Sequence, residues 1–195
     1  MKKFSSEFPG LYIIKPDVFG DSRGFFLEVY NQKAFSEIGL EDLEFVQDNL
    51  SRSSKGVLRG LHFQIPPYTQ GKLVTVFEGS VLDVAVDIRV HSPTYGKAFS
   101  YEIRADEPTF VYIPEGFAHG FQVLSDTCLF YYKCTNFYNK QADQGIRWDD
   151  PALAIPWQDI PPILSPKDLA HPNLAEYESP FQEYIKLPAS DSIIN

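Results

Sequence analysis

The sequence predicts an all-β sandwich or barrel with a few short helices, mostly C-terminal. Three observations carry that expectation. Short apolar runs with period-two alternation recur along the first two thirds of the chain. Gly, Pro and Ser/Asp turn signals separate them. Aromatic residues reach 15%, with 16 Phe and 11 Tyr against a single Met, which suits sheets or a stacking pocket.

The elements follow in order. A β-rich run covers 24–30. Asn31 can cap a short helix over 31–38, on which Ala34, Phe35 and Ile38 share a face and which Gly39 ends. Further strands are expected at 43–50, 57–64 and 72–78. The run 80–89 alternates cleanly, with Leu82, Val84, Val86 and Ile88 on one face and Val81, Asp83, Ala85 and Asp87 on the other. Strands then fall at 98–104, 109–113, 120–124 and 127–135. Gly56, Gly71, Gly79, Ser92-Pro93, Pro114-Glu115-Gly116 and Ser125-Asp126 mark the turns between them. The last third differs: eight of the 15 prolines lie in 151–195, and no glycine follows Gly145. The expectation is one domain over 1–195, with a β core at about 10–150 and a Pro-rich segment, 151–195, packed on it as turns and short helices. The last ten or so residues are expected to fray.

Composition bounds the function. A chain of 195 residues suits a single domain. The net charge of −9 argues against nucleic acid, because a duplex-binding module presents a basic face. No apolar run approaches the ~20 residues of a membrane span, and the N-terminus lacks the apolar core of a signal peptide. Cys128 and Cys134 lie six residues apart on one expected strand, roughly 20 Å and too far for a disulfide. Two unpaired thiols fit a reducing, cytoplasmic setting.

Two motifs could hold a site. One is Val57-Leu58-Arg59-Gly60-Leu61-His62-Phe63-Gln64, followed by Gln70-Gly71-Lys72-Leu73. The other is Ile113-Pro114-Glu115-Gly116-Phe117-Ala118-His119-Gly120-Phe121. Each sets a His at a strand edge beside glycine turns, and they use two of only four histidines. The second matches the PxGxxH pattern of cupin barrels, which are small double-stranded jelly rolls. Metal cupins usually carry HxH and then a Glu in the first motif. Here Gln64 stands at the second His, and the position after Gly71 is Lys72, a cation that repels a divalent metal. No metal and no cofactor are therefore expected. The competing reading is that His62 and His119 are packed, hydrogen-bonded core residues.

A neutral imidazole is a suitable general base near pH 7. A carboxylate on its other nitrogen fixes the tautomer, and Asp83, Asp87 and Asp168 are the candidates. A Lys ammonium can hold a developing enolate, and a Tyr hydroxyl can return a proton. That set suits proton abstraction beside a ketone, with the carbonyl itself as electron sink. Adjacent strand tyrosines face opposite ways, so at most one of Tyr131 and Tyr132 points inward. Taken singly, either is more often core than catalytic.

Beyond these motifs the sequence resembles the dTDP-4-dehydrorhamnose 3,5-epimerases. The matching stretches are Asp21 to Phe26, Val57 to Gln64, Gln70 to Val74, Asp83 to Asp87, Ser92 to Gly96, Ile113 to Gly120, Tyr132 to Thr135, Gly145 to Pro151 and Leu164 to Asp168. They run in order from about residue 10 to 170. The resemblance implies a cupin-like jelly-roll homodimer that inverts C3 and C5 of a dTDP-bound 4-keto-6-deoxy sugar. It implies His62 as base with Asp168 as its partner, Tyr132 as the opposite-face acid, and Lys72 at the C4 oxygen. Diphosphate and sugar contacts would fall to Arg23, Glu28, Gln47, Asn49, Arg59, His119 and Lys167. Tyr138 would stack on thymine, Asp143 would line the nucleotide site, and Asp83 would support the His62 region. Taken singly, Arg23, Lys167 and Asp143 read better as solvated surface charges, and Glu28, Gln47 and Asn49 as strand-edge polar groups; taken with the ordered motifs, they read as site residues. Rival functions are a 3-epimerase on the same sugar, a metal-dependent cupin, and a non-catalytic sugar-nucleotide binding domain.

One geometric difficulty is visible in advance. The odd spacing of Arg59 and His62 puts them on opposite faces of an ideal strand. Either a bulge at Gly60 resets the phase, or Arg59 serves the other subunit or belongs to an exchanged strand.

Overall fold

A computed structural model describes residues 1–182. It is a double-layered jelly roll. One sheet has six strands in the order β1 (Lys2–Ser5), β2 (Tyr12–Lys15), β10 (Phe110–Ile113), β7 (Lys72–Glu78), β12 (Thr127–Cys134), β5 (Gln47–Ser54). The other has five: β13 (Asp143–Gly145), β6 (Leu58–Gln64), β11 (Phe117–Val123), β8 (Ser80–Asp87), β9 (Ala98–Arg104). A separate hairpin joins β3 (Val18–Asp21) to β4 (Gly24–Leu27). All named strand pairs are antiparallel.

The alternation on β8 explains the layering. Val81 and Ala85 pack between the sheets with Val74, Val76, Val111, Phe121, Val123 and Phe130. Leu82, Val84, Val86 and Ile88 face outward, yet they are buried too. They are covered by the C-terminal segment, through Leu153, Leu174, Phe181 and the partly buried Trp157. The described part of the Pro-rich segment thus packs as a third layer on the five-stranded sheet. The expected fraying lies outside the described residues. The outer face of the six-stranded sheet is covered by α1 (Gln32–Glu37) and its flanking loops, where Phe35 and Leu40 meet Ile14, Leu73 and Phe110.

Helix α1 forms where its cap predicts: Asn31 Oδ1 accepts from the backbone N–H of Lys33 and Ala34. Other boundaries moved. The expected strand at 24–30 ends at Leu27, and β1, β2 and β3 were not foreseen because they are only four residues long. The strand expected at 43–50 is instead Gln47–Ser54. Leu43 and Phe45 pack as loop residues over α1. The true strand has a polar inward face, Gln47, Asn49, Ser51 and Ser53, because it walls a cleft rather than the core.

Cys128 and Cys134 are both buried and unpaired, on β12 as expected.

Candidate active site

Two adjoining cavities of about 390 and 380 Å³ open between the sheets, and His62, Lys72, Asn49 and Tyr132 line both. They form one cleft. The five-stranded sheet supplies His62 from β6 and His119 from β11, which pair directly across the ladder. The six-stranded sheet supplies Asn49 from β5, Lys72 from β7 and Tyr132 from β12, with Tyr132 opposite both Asn49 and Val74.

The bulge settles the position of Arg59. On β11, Phe121 and His119 are two apart, while their partners Arg59 and His62 are three apart. The extra residue returns Arg59 to the inner face. Glycine is required there. Gly60 has φ +138°, and a Cβ on it would lie 2.5 Å from the Cα of Gly120. Arg59 therefore lines the cleft of its own chain and donates to Ser53 Oγ across it at 3.2 Å.

His62 and Asp168 form a dyad, with Nε2 to Oδ1 at 2.6 Å. Asp168 arrives on the one-turn helix α2 (Pro166–Leu169). Its other oxygen accepts from Ser165 Oγ at 2.6 Å and from the Ser165 backbone N–H at 3.2 Å, in a reciprocal cap. Burial pushes the Asp168 carboxyl up, but the bonds from His62 and Ser165 outweigh it and hold it well below the usual carboxylate range. It is a carboxylate at neutral pH, and it leaves His62 Nδ1 as the nitrogen free of it.

A second His–Asp pair stands beside the first. His119 Nε2 lies 2.7 Å from Asp83 Oδ1. This corrects one expectation: Asp83 serves His119, not His62. The ladder explains it, because His119 faces Ala85, and Asp83 is its diagonal neighbour two residues away. Burial lowers the His119 pKa. Asp83 opposes that shift, while Lys72 and His62 add to it. Asp87, the remaining carboxylate the sequence offered as an orienter, is engaged by Arg89, Ser92 and Thr94 away from the cleft.

Tyr132 points in and Tyr131 points out, where its hydroxyl donates to Asp48 and its ring stacks on Phe77. Burial pushes the Tyr132 phenol up to about 12, helped by Cys134 and Asp143 and opposed by Arg59. Burial lowers the Lys72 pKa, against the pull of Cys134, Asp143 and Asp83. Its Nζ donates to the His62 carbonyl at 3.4 Å, which ties the Lys72 cation to the backbone of His62.

The outer half of the cleft gathers the expected nucleotide contacts. Asp143 accepts from Lys167 Nζ at 2.5 Å and from the Tyr138 hydroxyl at 2.9 Å. Gln47 donates to Asn49 and accepts from the Tyr138 backbone N–H. The Tyr138 ring is 55% exposed, so one face is open to a ligand. Arg23 and Glu28 are not brought here. Arg23 pairs with Asp21 at the tip of the β3–β4 hairpin, and Glu28 bonds Asn31 beside α1. Glu28 lines a separate surface concavity with Met1, Asp17 and Lys33.

Sequence reasoning missed His171 and Ser165. Ser165 had a legible signal, the S-x-x-D cap before Asp168. His171 had none, since only the fold carries it to His62. His62, Asp168 and His171 have ligand atoms within 4.8 Å of one another, the one such trio among the described residues. Two of the three are already bonded to each other, and Lys167 adds positive charge at His171, so the trio is a poor fit to a cation.

Comparison with known proteins shows the family. The family model for dTDP-4-dehydrorhamnose 3,5-epimerase matches residues 5–176. The enzyme of that name from Shigella flexneri is 53% identical over 169 residues, 87% of this chain and 93% of that one. The one from Mycobacterium tuberculosis is 41% identical over 180 residues, covering 90% and 89%. Among solved structures, the dTDP-6-deoxy-D-glucose-3,5-epimerase of Legionella pneumophila in complex with dTDP-4-keto-L-rhamnose superposes with a TM-score of 0.85. It is 46% identical, over 90% of this chain and 94% of that one. A 3′-monoepimerase from Streptomyces bikiniensis in complex with dTDP-quinovose reaches 0.83 at 31% identity, over 88% and 87%.

Proposed function

Because the chain belongs to the dTDP-4-dehydrorhamnose 3,5-epimerase family, we propose that the cleft between its sheets is the active site, with His62 as base and Tyr132 as acid. The enzyme inverts C3 and C5 of dTDP-4-dehydro-6-deoxy-D-glucose and yields dTDP-4-dehydro-L-rhamnose. The observation that carries the site reading is the shared lining. His62 comes from one sheet, and Lys72 and Tyr132 come from the other, so base and acid can flank one sugar ring.

The chemistry follows from these groups. Nδ1 of His62 takes the proton from the carbon next to the C4 ketone. The C–H electron pair becomes a C=C bond, and the carbonyl pair moves onto O4. The Lys72 ammonium holds that developing charge. The Tyr132 hydroxyl then delivers its own proton to the opposite face of the same carbon. The imidazolium and the tyrosinate are reset by exchange with solvent, so a solvent hydrogen ends on the inverted carbon. Asp168 keeps the His62 ring oriented and stabilises its charged form. The ketone is the electron sink, so the reaction as written needs no cofactor. Acid–base groups of this kind typically supply about 10²–10⁴-fold each.

The substrate's dTDP end falls to the outer cleft. Arg59 and Lys167 suit the diphosphate, with Arg offering a paired donor fork. The open face of Tyr138 suits thymine, where stacking contributes on the order of 1–3 kcal/mol. His119, Gln47, Asn49 and Asp143 complete the sugar and nucleotide contacts.

A homodimer accounts for the two residues left outside. The β3–β4 hairpin carries Arg23 and exposes Val18, Phe19, Phe25 and Phe26, the last three at 64–65%. A second copy seated on that hairpin would bury those rings and could carry Arg23 and Glu28 to its own cleft. Two free, buried thiols support a cytoplasmic setting. Among the described residues, no helix is long and apolar enough to cross a membrane.

The test is incubation with dTDP-4-dehydro-6-deoxy-D-glucose in D₂O, followed by NMR. Deuterium is expected at both C3 and C5. Label at C3 alone would make the protein a 3-epimerase, and label at neither would reject the enzyme reading. His62→Asn should abolish exchange while dTDP still binds; surviving exchange would remove His62 from the role of base.

A further inference from the structure

His171 belongs to none of the motifs, yet it stands against the base. It lies two residues beyond α2, and its ring meets that of His62 nearly edge-on, with centroids 5.6 Å apart and planes at 72°. Its other side rests on Gly145, where a Cβ would lie 2.6 Å from His171 Nε2. Gly145 is also the residue that pairs with His62 across β13 and β6. The space His171 occupies therefore exists because residue 145 has no side chain.

A single hydrogen bond to Asp168 fixes one atom of the His62 ring but not its plane. The terminal torsion of a histidine is broad, so the ring can swing about that point. Something packed on its flank is needed to hold Nδ1 toward the cleft, and His171 is what packs there. Its Nε2 is buried without a hydrogen-bond partner among the described residues. The groups that face it are His62 from β6, Asp143 from β13, and Lys167 and Asp168 from α2. Burial lowers its pKa, His62 and Lys167 add to that, and the two aspartates oppose it. A neutral ring can sit beside an imidazolium without repelling it.

We propose that His171 is a positioning residue for the base, wedged between Gly145 and His62 so that the His62 ring keeps Nε2 on Asp168 and Nδ1 toward the substrate. This rests on His62 being the base.

The experiment compares His171→Ala with His171→Phe, which keeps a ring of similar reach. Since a small misplacement of a catalytic group can cost up to about 100-fold, kcat should fall about 10- to 100-fold in the Ala variant at little-changed KM, and Phe should restore most of it. The His62 ring resonances should be single and sharp in the parent and in Phe, and broadened or doubled in Ala, where the ring plane is no longer held. A kcat within twofold of the parent in folded His171→Ala, or a loss carried by KM alone, overturns the inference. If His171→Ala fails to fold, His171→Phe decides: near-parental kcat with single, sharp His62 ring resonances supports the wedge, and a loss as large as that expected for Ala overturns it. His62→Asn run alongside separates the two failures. If that variant stays active, the base assignment falls; if it is dead while His171→Ala is parental, only the wedge falls.

Discussion

Oδ1 of Asp168 lies 2.6 Å from Nε2 of His62, although 106 residues separate them in the chain. The same carboxylate closes the cap of α2 through Ser165. The group that holds the proposed base is thus also the group that closes the cap of the helix carrying it.

Asp168→Asn should therefore lower kcat by about 10²–10⁴-fold, since it weakens both ring orientation and stabilisation of the imidazolium. It should also cost about 1 kcal/mol of stability, because the charge-assisted bonds from His62 and Ser165 become neutral ones. The sign of the pH effect follows from the depressed carboxyl. Its stabilisation is complete above the ordinary Asp pKa and is lost as pH falls through that value toward the folded one. Urea melts should show the gap between parent and variant at full size down to about pH 5 and closing below about pH 4.

Lys72 should set the alkaline limit of the reaction. The ammonium is the useful form, and burial lowers its pKa from the ordinary lysine value. Activity should then fall with rising pH earlier than for an ordinary lysine. Lys72→Met should reduce kcat about 10²–10³-fold and remove that limb from the pH–rate profile. Tyr132, raised to about 12, stays protonated and should add no limb below about pH 11. Tyr132→Phe should leave dTDP affinity unchanged while kcat drops about 10²–10⁴-fold.

Gly60→Ala should damage fold and site together. The added Cβ meets the neighbouring strand's backbone at 2.5 Å, at a φ of +138°. Strain and overpacking together amount to about 2–5 kcal/mol. Calorimetry should show Tm lowered by at least about 5 °C, and dTDP affinity should weaken as Arg59 loses its inward phase.

Subunit mixing tests the role of the β3–β4 hairpin. Arg23→Ala and His62→Asn should each be nearly inactive as pure proteins. Mixed and re-equilibrated, they should recover up to about a quarter of parental activity, because a quarter of all sites then have both residues intact. A monomer by light scattering, or no recovery on mixing, would assign Arg23 no part in a partner's cleft.

Much of the fold was legible because apolar alternation reports burial directly. β8 stood out for its alternation, although the C-terminal layer buries its second face as well. β5 was misplaced because its inward face is polar, and a cleft wall reads like solvent. β1 to β3 were too short to show a period. His62 and the three candidate aspartates were legible from the motifs, but the pairing of His62 with Asp168 only from the family resemblance. Periodicity can put His62 on a strand edge, but it cannot say which of three aspartates reaches it.

An all-β sandwich or barrel, the α1 cap, two unpaired thiols on one strand, and a set of residue types fit for enolate chemistry were readable from the chain alone. These depend on neighbours in the chain, on spacing and on composition. The tertiary structure alone decided that Asp83 belongs to His119, that Tyr132 rather than Tyr131 faces the cleft, that a bulge turns Arg59 inward, and that His171 lies against the base. Each of those depends on ladder register or on the path of the C-terminal layer, and both are fixed by packing between segments far apart in the chain.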